Sequence, residues 1–131
     1  ELPVYFGLAG AFVHARTTEQ CGLVVNEAMA SGLPVLVSNR CGCAIDLVKD
    51  GVNGFTFDPG NEEKVAQVLL KICAKDFPLE AFGSASRQMI ASWGPERFAG
   101  GLRDAAETAL KNPRPAAGIF DRLLLKLLLR R

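Results

Sequence analysis

The sequence lacks the marks of several protein classes. No apolar run reaches the ~20 residues of a membrane-spanning helix, and none of these 131 residues is expected to belong to a secretory leader. The four cysteines form no C-x-x-C pair, which favours reduced cytosolic thiols over a zinc or disulfide framework. The formal net charge of +1 gives no basis for nucleic-acid binding. These absences leave a globular chain of 131 residues, of which 49% are hydrophobic.

Short apolar runs alternate with amphipathic stretches along the chain. Residues 11–15 and 34–38 are predicted buried strands, and residues 55–57 a third, short one. After the end of a helix within residues 2–10, helices are predicted over residues 21–31, 44–49, 62–74, 79–92, 95–111 and 118–131. This alternation predicts an α/β fold with a partial, Rossmann-like parallel sheet. Such sheets usually have about five or six strands, and the chain begins with Glu1 rather than Met, so we expect further strands upstream in a longer protein.

The second predicted helix begins near two glutamates, Glu19 and Glu27. In a parallel sheet, ligands bind beyond the carboxyl ends of the strands, and the loop after the first strand borders that crevice. The first N–H groups of a helix carry partial positive charge, and Gly22 lets a ligand approach because it has no Cβ. The amides of Cys21, Gly22 and Leu23 are therefore a predicted seat for a diphosphate.

Glu19, in the loop before the helix, and Glu27, about two turns along it, are eight positions apart, and a rise of ~1.5 Å per residue separates them by ~12 Å along the helix axis. That separation suits an elongated ligand with a hydroxyl-rich group at each end, because carboxylates accept hydrogen bonds from vicinal hydroxyls. A nucleotide-diphosphate sugar has this layout. The spacing is also typical of acids that only stabilise a helix N-terminus.

Several motifs follow one another around these glutamates. AFVHA precedes the loop, EQCGLVVNEAMASGLPV carries both glutamates, Gly42 lies in the next turn, and DLVKDGVNGF and DPGN come after it. In this order and spacing, residues 2–70 resemble the C-terminal domain of retaining, GT-B-fold glycosyltransferases of the group 1 type. The resemblance implies the donor-binding part of a two-domain enzyme whose acceptor domain lies upstream, so the chain alone is expected to be inactive.

The resemblance also implies roles for individual residues. Glu19 would contact the hydroxyls of the donor sugar and take part in catalysis, and Glu27 would hold the ribose hydroxyls. Neither a cofactor nor a metal is expected, because the family needs none for the diphosphate and the chain has no D-x-D motif. The predicted substrate-binding residues are Arg16, Glu19, Gln20, Cys21, Gly22, Leu23 and Glu27.

Three positions depart from the pattern of these enzymes. Gln20 and Cys21 stand where Gly and an aromatic residue are frequent, and Asp46 stands where Glu is common. The predicted function is nevertheless transfer of a sugar from a nucleotide-diphosphate sugar to a glycan, a lipid-linked acceptor or another hydroxyl, as in cytoplasmic polysaccharide or glycolipid synthesis. An alternative of another class is a non-catalytic α/β binding or assembly module.

The chain is predicted to have three parts. Residues 1–75 form the nucleotide-sugar-binding part, residues 76–111 form helices packed on it, and residues 112–131 form a Pro-containing linker and a tail helix. Basic residues recur every four positions on the leucine-rich tail, at Arg122, Lys126 and Arg130. This pattern fits peripheral binding to an anionic membrane, on its inner face, or packing on another domain.

Other polar and aromatic positions are interpreted mainly as structural. His14 is expected to end a strand and hydrogen-bond the backbone rather than enter the cleft. Asn53 is interpreted as a turn residue, and Trp93 as a packing residue where the C-terminal helices join. Asn39 and Arg40 follow the second strand and are expected to face the same crevice, where a contact with the donor is the less favoured interpretation.

Overall fold

A computed structural model describes residues 2–112 and 118–129, except the side chains of residues 122 and 123. Three strands, β1 (Phe12–His14), β2 (Val35–Ser38) and β3 (Gly54–Phe57), form one sheet in that order. Both pairings are parallel, with Phe12 opposite Val35 and Val35 opposite Gly54. The predicted parallel α/β sheet is therefore confirmed, and all three strands end at the same edge.

Helices connect the strands and continue after them. From α2 to α6 their ends differ from the predicted ones by at most two residues, and the end predicted for the tail at residue 131 lies outside the described residues. Short α3 follows β2, so both strand connections contain a helix, as parallel pairing requires. The helices are α1 (Leu2–Leu8), α2 (Leu23–Ala30), α3 (Ala44–Leu47), α4 (Glu62–Ile72), α5 (Leu79–Ile90), α6 (Pro95–Lys111) and α7 (Ile119–Leu128).

The central strand β2 separates two hydrophobic clusters. Its side chains alternate between the faces of the sheet, so Val35 and Val37 join one cluster and Leu36 the other. The first cluster contains buried residues of α2 and α3, and the second contains the phenylalanines of β3 and Ile72 of α4. Because α5 contributes to both, through Phe82 on one side and Met89 and Ile90 on the other, it ties the two layers together.

The prediction that the first strand is buried is wrong. Val13 is 42% exposed, and Phe12 and His14 are only half-buried. β1 is an edge strand of this sheet, and no strand within residues 2–112 and 118–129 pairs with its outer side. The apolar side chains of β1 are therefore not fully covered by other residues in the described part of the chain.

The chain divides into two compact units, residues 1–94 and 95–131. The first contains the sheet, α1 to α5 and both clusters. The second contains α6 and α7, and none of its described side chains is buried. The functional boundaries predicted after residues 75 and 111 stay predictions. No described helix is both long and apolar enough to cross a membrane.

Candidate functional site

The loops that follow β1 and β2 are joined to each other at the carboxyl edge of the sheet. The N–H of Gly42, after β2, donates to the backbone oxygen of Glu19, after β1, over 2.9 Å. Glu19 and Cys41 also form an isolated parallel bridge. A Cβ on Gly42 would overlap the carbonyl oxygen of Gln20, so only glycine permits this approach. Gly42, which the sequence marks only as part of a turn, therefore fixes the loop that carries Glu19.

Two basic side chains flank the Glu19 carboxylate. His14 Nε2 and Arg16 Nε each lie 3.8 Å from Glu19 Oε2. The side chain of Glu19 is 28% exposed, that of Arg16 is 66% exposed and that of His14 is 12% exposed. Glu19 thus lies at the mouth of the crevice with one solvated cation and one buried imidazole beside it.

The interpretation of His14 as a backbone-bonded residue is wrong at Nε2. This nitrogen is buried, and within the described residues it has no hydrogen-bond partner. The ring instead stacks on Phe12, with centroids 6.0 Å apart and planes 18° apart. The ring nitrogen faces the same carboxylate that the sequence selects as a site residue. The only sequence signal for this is that His14 lies near a strand end, just before the Glu19 loop.

The helix that carries Glu27 begins later than predicted. Gly22 adopts the left-handed conformation, with φ 70° and ψ 47°, and precedes the first helical residue, Leu23. A Cβ on Gly22 would lie 2.9 Å from Cys43 Sγ, so packing as well as conformation favours glycine. The amide of Val25 donates to the oxygen of Gly22, which leaves the N–H groups of Leu23 and Val24 without an intrahelical acceptor.

This later start corrects two expectations about the helix. The ~12 Å separation of the glutamates applies the helical rise to all eight steps, but only the four steps from Leu23 to Glu27 are helical. An apolar residue such as Leu23 is also expected on the buried face of this helix, yet its side chain is 68% exposed, because Val25, Ala28 and Met29 form the buried face. Glu27 is exposed, and its carboxylate makes no ion pair or hydrogen bond in the described part of the chain.

Thiols line the interior side of these loops. Burial raises the pKa of Cys41, the carboxylate of Glu19 raises it further, and the Ser38 side chain and Arg16 oppose the shift. Burial also raises the pKa of Cys43, with smaller contributions from Cys41 and other neighbours. Cys21 is exposed, as is Gln20. Both exposed side chains border the first amides of α2, in the positions where the sequence departs from the glycosyltransferase pattern.

Residues after β2 and β3 complete the edge. Arg40 pairs with Asp58 over 3.7 Å, so its side chain already has a partner. Asn39 lines an open groove of about 390 Å³ beside α3, together with Val48 and Thr56. Asn53 lies in a turn as predicted but is fully buried, and its role is structural. In residues 2–112 and 118–129, no three potential metal-ligating side chains form a cluster.

The fold and this edge define an α/β domain with an acidic residue at the mouth of its crevice and, beside it, helix amides that lack an acceptor within the helix. Comparison with known proteins makes the class specific. Residues 1–89 match the family model for glycosyl transferases group 1. The chain belongs to this family, which consists of enzymes, as the resemblance of the motifs implied.

Curated relatives agree with this assignment. A sucrose synthase from Acidithiobacillus caldus is 37% identical over 95 residues, which are 69% of this chain and 12% of that protein. Sulfoquinovosyl transferase SQD2 from Arabidopsis thaliana is 32% identical over 123 residues, 92% of this chain and 22% of that protein. The chain thus spans only an eighth to a fifth of the length of these two relatives.

A solved structure agrees with the fold. Sucrose-phosphate synthase from Thermosynechococcus elongatus superposes with a TM-score of 0.69 and 24% identity, over 82% of this chain and 27% of that chain. At this identity the likeness concerns the fold alone. It supports the prediction of a partial parallel sheet of the GT-B type.

Proposed function

We propose that the chain is the donor-binding part of a glycosyltransferase that transfers a sugar from a nucleotide-diphosphate sugar to a hydroxyl acceptor. The observation that carries this proposal is the 2.9 Å hydrogen bond from Gly42 to the backbone of Glu19. That bond joins the two loops so that the carboxylate of Glu19 and the start of α2 border one crevice. Membership of an enzyme family of sugar transferases supports the same conclusion.

The start of α2 supports binding of the diphosphate. The N–H groups of Leu23 and Val24 have no acceptor within the helix, and the helix dipole adds partial positive charge at this end. Arg16 is solvated and close to Glu19, where it can partly neutralise a second anion. Gln20, Cys21 and the backbone of Gly22 complete this proposed binding surface. Neither a metal nor a cofactor is part of the proposal, because the amides and the arginine neutralise the phosphate charge.

The two glutamates support binding of the two hydroxyl-rich ends of the donor. Glu19 is half-buried and bordered by basic groups, which suits an ordered contact with the transferred sugar. We assign it a catalytic role as well, because it would touch the reacting sugar. Glu27 is exposed and has no described partner for its carboxylate, so both of its oxygens are free to accept hydrogen bonds from the ribose hydroxyls.

Calorimetric titration of the full chain with UDP-glucose, ADP-glucose and GDP-mannose tests this function. We expect one of them to bind, and Glu27→Gln to weaken its binding roughly tenfold, because a neutral amide accepts weaker hydrogen bonds than a carboxylate. Glu80→Gln, in the first turn of α5, is the matched control and should bind like the wild type. If none of these nucleotide sugars binds and none is turned over by the chain joined to its upstream domain, the assembly-module alternative is favoured.

The acceptor side of the proposal includes a membrane surface. All described large apolar residues of the tail, from Ile119 to Leu129, are at least 57% exposed. Lys126 lies in the last turn of α7, and Asp121 accepts the hydrogen bond of the Gly118 N–H over 2.9 Å at its start. The structure does not describe Arg130 or the side chain of Arg122. Exposed leucines beside a cation suit an anionic lipid interface, and hence a lipid-linked acceptor.

Co-sedimentation with phosphatidylglycerol vesicles tests the tail. The full chain should sediment with them, and a chain ending at residue 117 should stay in the supernatant. Lys126→Glu should weaken sedimentation with anionic vesicles more than Lys111→Glu, which removes a similar charge from the last turn of α6. Equal sedimentation of the full and shortened chains would exclude the tail as the membrane-binding element.

A further inference from the structure

Nε2 of His14 is the one buried side-chain nitrogen or oxygen atom in the described residues that lacks a hydrogen-bond partner. Buried polar groups in proteins nearly always have one, and an unpaired group costs free energy. The orphaned nitrogen is Nε2, which lies at the carboxyl edge of the sheet, 3.8 Å from Glu19 Oε2. The proposed binding of the donor does not use this nitrogen, although it borders the proposed sugar contact.

The distance between the two groups is informative. A direct hydrogen bond between nitrogen and oxygen requires about 2.7–3.2 Å, so His14 and Glu19 are neighbours that are not bonded to each other. A third oxygen between them can lie about 2.8 Å from both atoms. In the tautomer that carries its proton on Nε2, His14 presents a hydrogen-bond donor beside the carboxylate acceptor. The pair therefore offers one donor and one acceptor to a single small group.

The chemistry of that group follows from these two partners. A hydroxyl both accepts and donates hydrogen bonds, so it can satisfy the imidazole and the carboxylate together. A phosphate oxygen only accepts and carries negative charge, so Glu19 would repel it. The stacking of the His14 ring on Phe12 and its 12% exposure hold the donor in a fixed direction.

We propose that His14 and Glu19 jointly bind one hydroxyl of the transferred sugar, with His14 Nε2–H donating to the hydroxyl oxygen and the hydroxyl donating to Glu19. This inference rests on the proposed function and adds a residue that selects the sugar. His14 then discriminates between donors that carry this hydroxyl and donors that lack it, and it makes no contact with the diphosphate.

Two variants and two ligands separate this role from a structural one. His14→Phe keeps the ring and its stacking but removes the donor, and His14→Gln supplies an amide N–H in its place. The nucleotide sugar that binds the wild type is titrated beside its free nucleoside diphosphate. We expect His14→Phe to lose roughly tenfold in affinity for the nucleotide sugar and to bind the nucleoside diphosphate within twofold of the wild type. His14→Gln should retain part of the affinity for the nucleotide sugar that His14→Phe loses.

Deoxy analogues of the donor then identify the hydroxyl. One of the deoxy analogues should bind the wild type and His14→Phe with equal affinity, because loss of that hydroxyl and loss of the His14 donor remove the same contact. Equal losses for the sugar and the free diphosphate would show a structural role and overturn the inference, as would unchanged affinities for both. Failure of the wild type to bind any nucleotide sugar would overturn the proposed function as well, so the two failures are distinguishable.

Discussion

The two units of the chain differ in the kind of contact that stabilises each of them internally. In residues 1–94 the decisive bonds join distant positions, such as Gly42 to Glu19 and Ser86 to the backbone of Asn53. In α6 the described side-chain bonds are local, from Thr108 to Asp104 and from Lys111 to Glu107. Both regions have helices that periodicity predicts well. Within residues 2–112 and 118–129, only the first unit has a hydrophobic core, and only the first unit brings candidate site residues together.

The contrast between local and distant contacts shows that forming secondary structure and forming a ligand site have different requirements. An amphipathic helix needs only a repeated pattern and a few contacts between positions three or four apart. A ligand site needs side chains from several loops, and those loops must be fixed by contacts across the chain. Periodicity predicts the helices of both units equally well, but this agreement does not reveal what each unit does.

The largest expected effect comes from one glycine substitution made in both units. Gly42→Ala forces a Cβ onto the Gln20 carbonyl, and we expect a loss of about 3 kcal/mol in unfolding free energy together with nucleotide-sugar binding. Gly101→Ala in α6 meets open space and should raise helix stability by about 0.5–1 kcal/mol. Chemical denaturation measures both. An unchanged unfolding free energy for Gly42→Ala would contradict this difference between the two units, because it would show that the loop contact is not needed.

An asparagine substitution in each unit gives the next largest difference. Asn53 is fully buried, accepts from the Lys49 N–H over 2.8 Å and donates to the Leu47 oxygen over 2.9 Å. Asn53→Ala leaves both groups unpaired and should cost about 2–3 kcal/mol of unfolding free energy. Asn112 makes one exposed bond to Thr108, so Asn112→Ala should cost less than about 0.5 kcal/mol. Equal costs would show that burial does not separate the two units.

Truncation tests whether the first unit folds by itself. A chain ending at Gly94 keeps both clusters, so its unfolding free energy should change by less than about 1 kcal/mol. A chain ending at residue 78 removes α5, including buried Phe82 and Ser86, and should lose cooperative unfolding. Thermal denaturation followed by circular dichroism compares them. Loss of cooperative unfolding in the chain that ends at Gly94 would show that the second unit is required for the core.

The smallest expected effect concerns the thiols, which all lie in the first unit. Burial raises the pKa of Cys41 and Cys43, so a smaller fraction of each is thiolate at a given pH and alkylation is slower. Iodoacetamide at pH 8 should modify exposed Cys21 and Cys73 first, as mass spectrometry of peptides can show. The difference should narrow as the pH rises through the raised pKa values. Simultaneous modification of all four would contradict the burial of these loops.

Much of the fold follows from the sequence because its signals are local. Apolar runs of three to five residues mark the strands, and Gly, Pro and Asn mark the ends of helices. Errors arise where a distant contact intervenes. Gly22 moves the start of α2 because its left-handed conformation is packed against Cys43, and Leu23 is exposed because the helix buries a different face. The exposure of β1 reflects its edge position, which no pattern within its own residues encodes.

Motif order and periodicity are properties of neighbouring residues, so they are enough to identify the family, the parallel sheet and the two glutamates as candidates. Which groups meet depends on the folded chain. Folding brought the Gly42 amide to the backbone of Glu19 and left His14 Nε2 buried 3.8 Å from the Glu19 carboxylate. The physical reason is that hydrogen-bond satisfaction and charge proximity depend on the packing of separate loops, and that packing is a property of the folded chain.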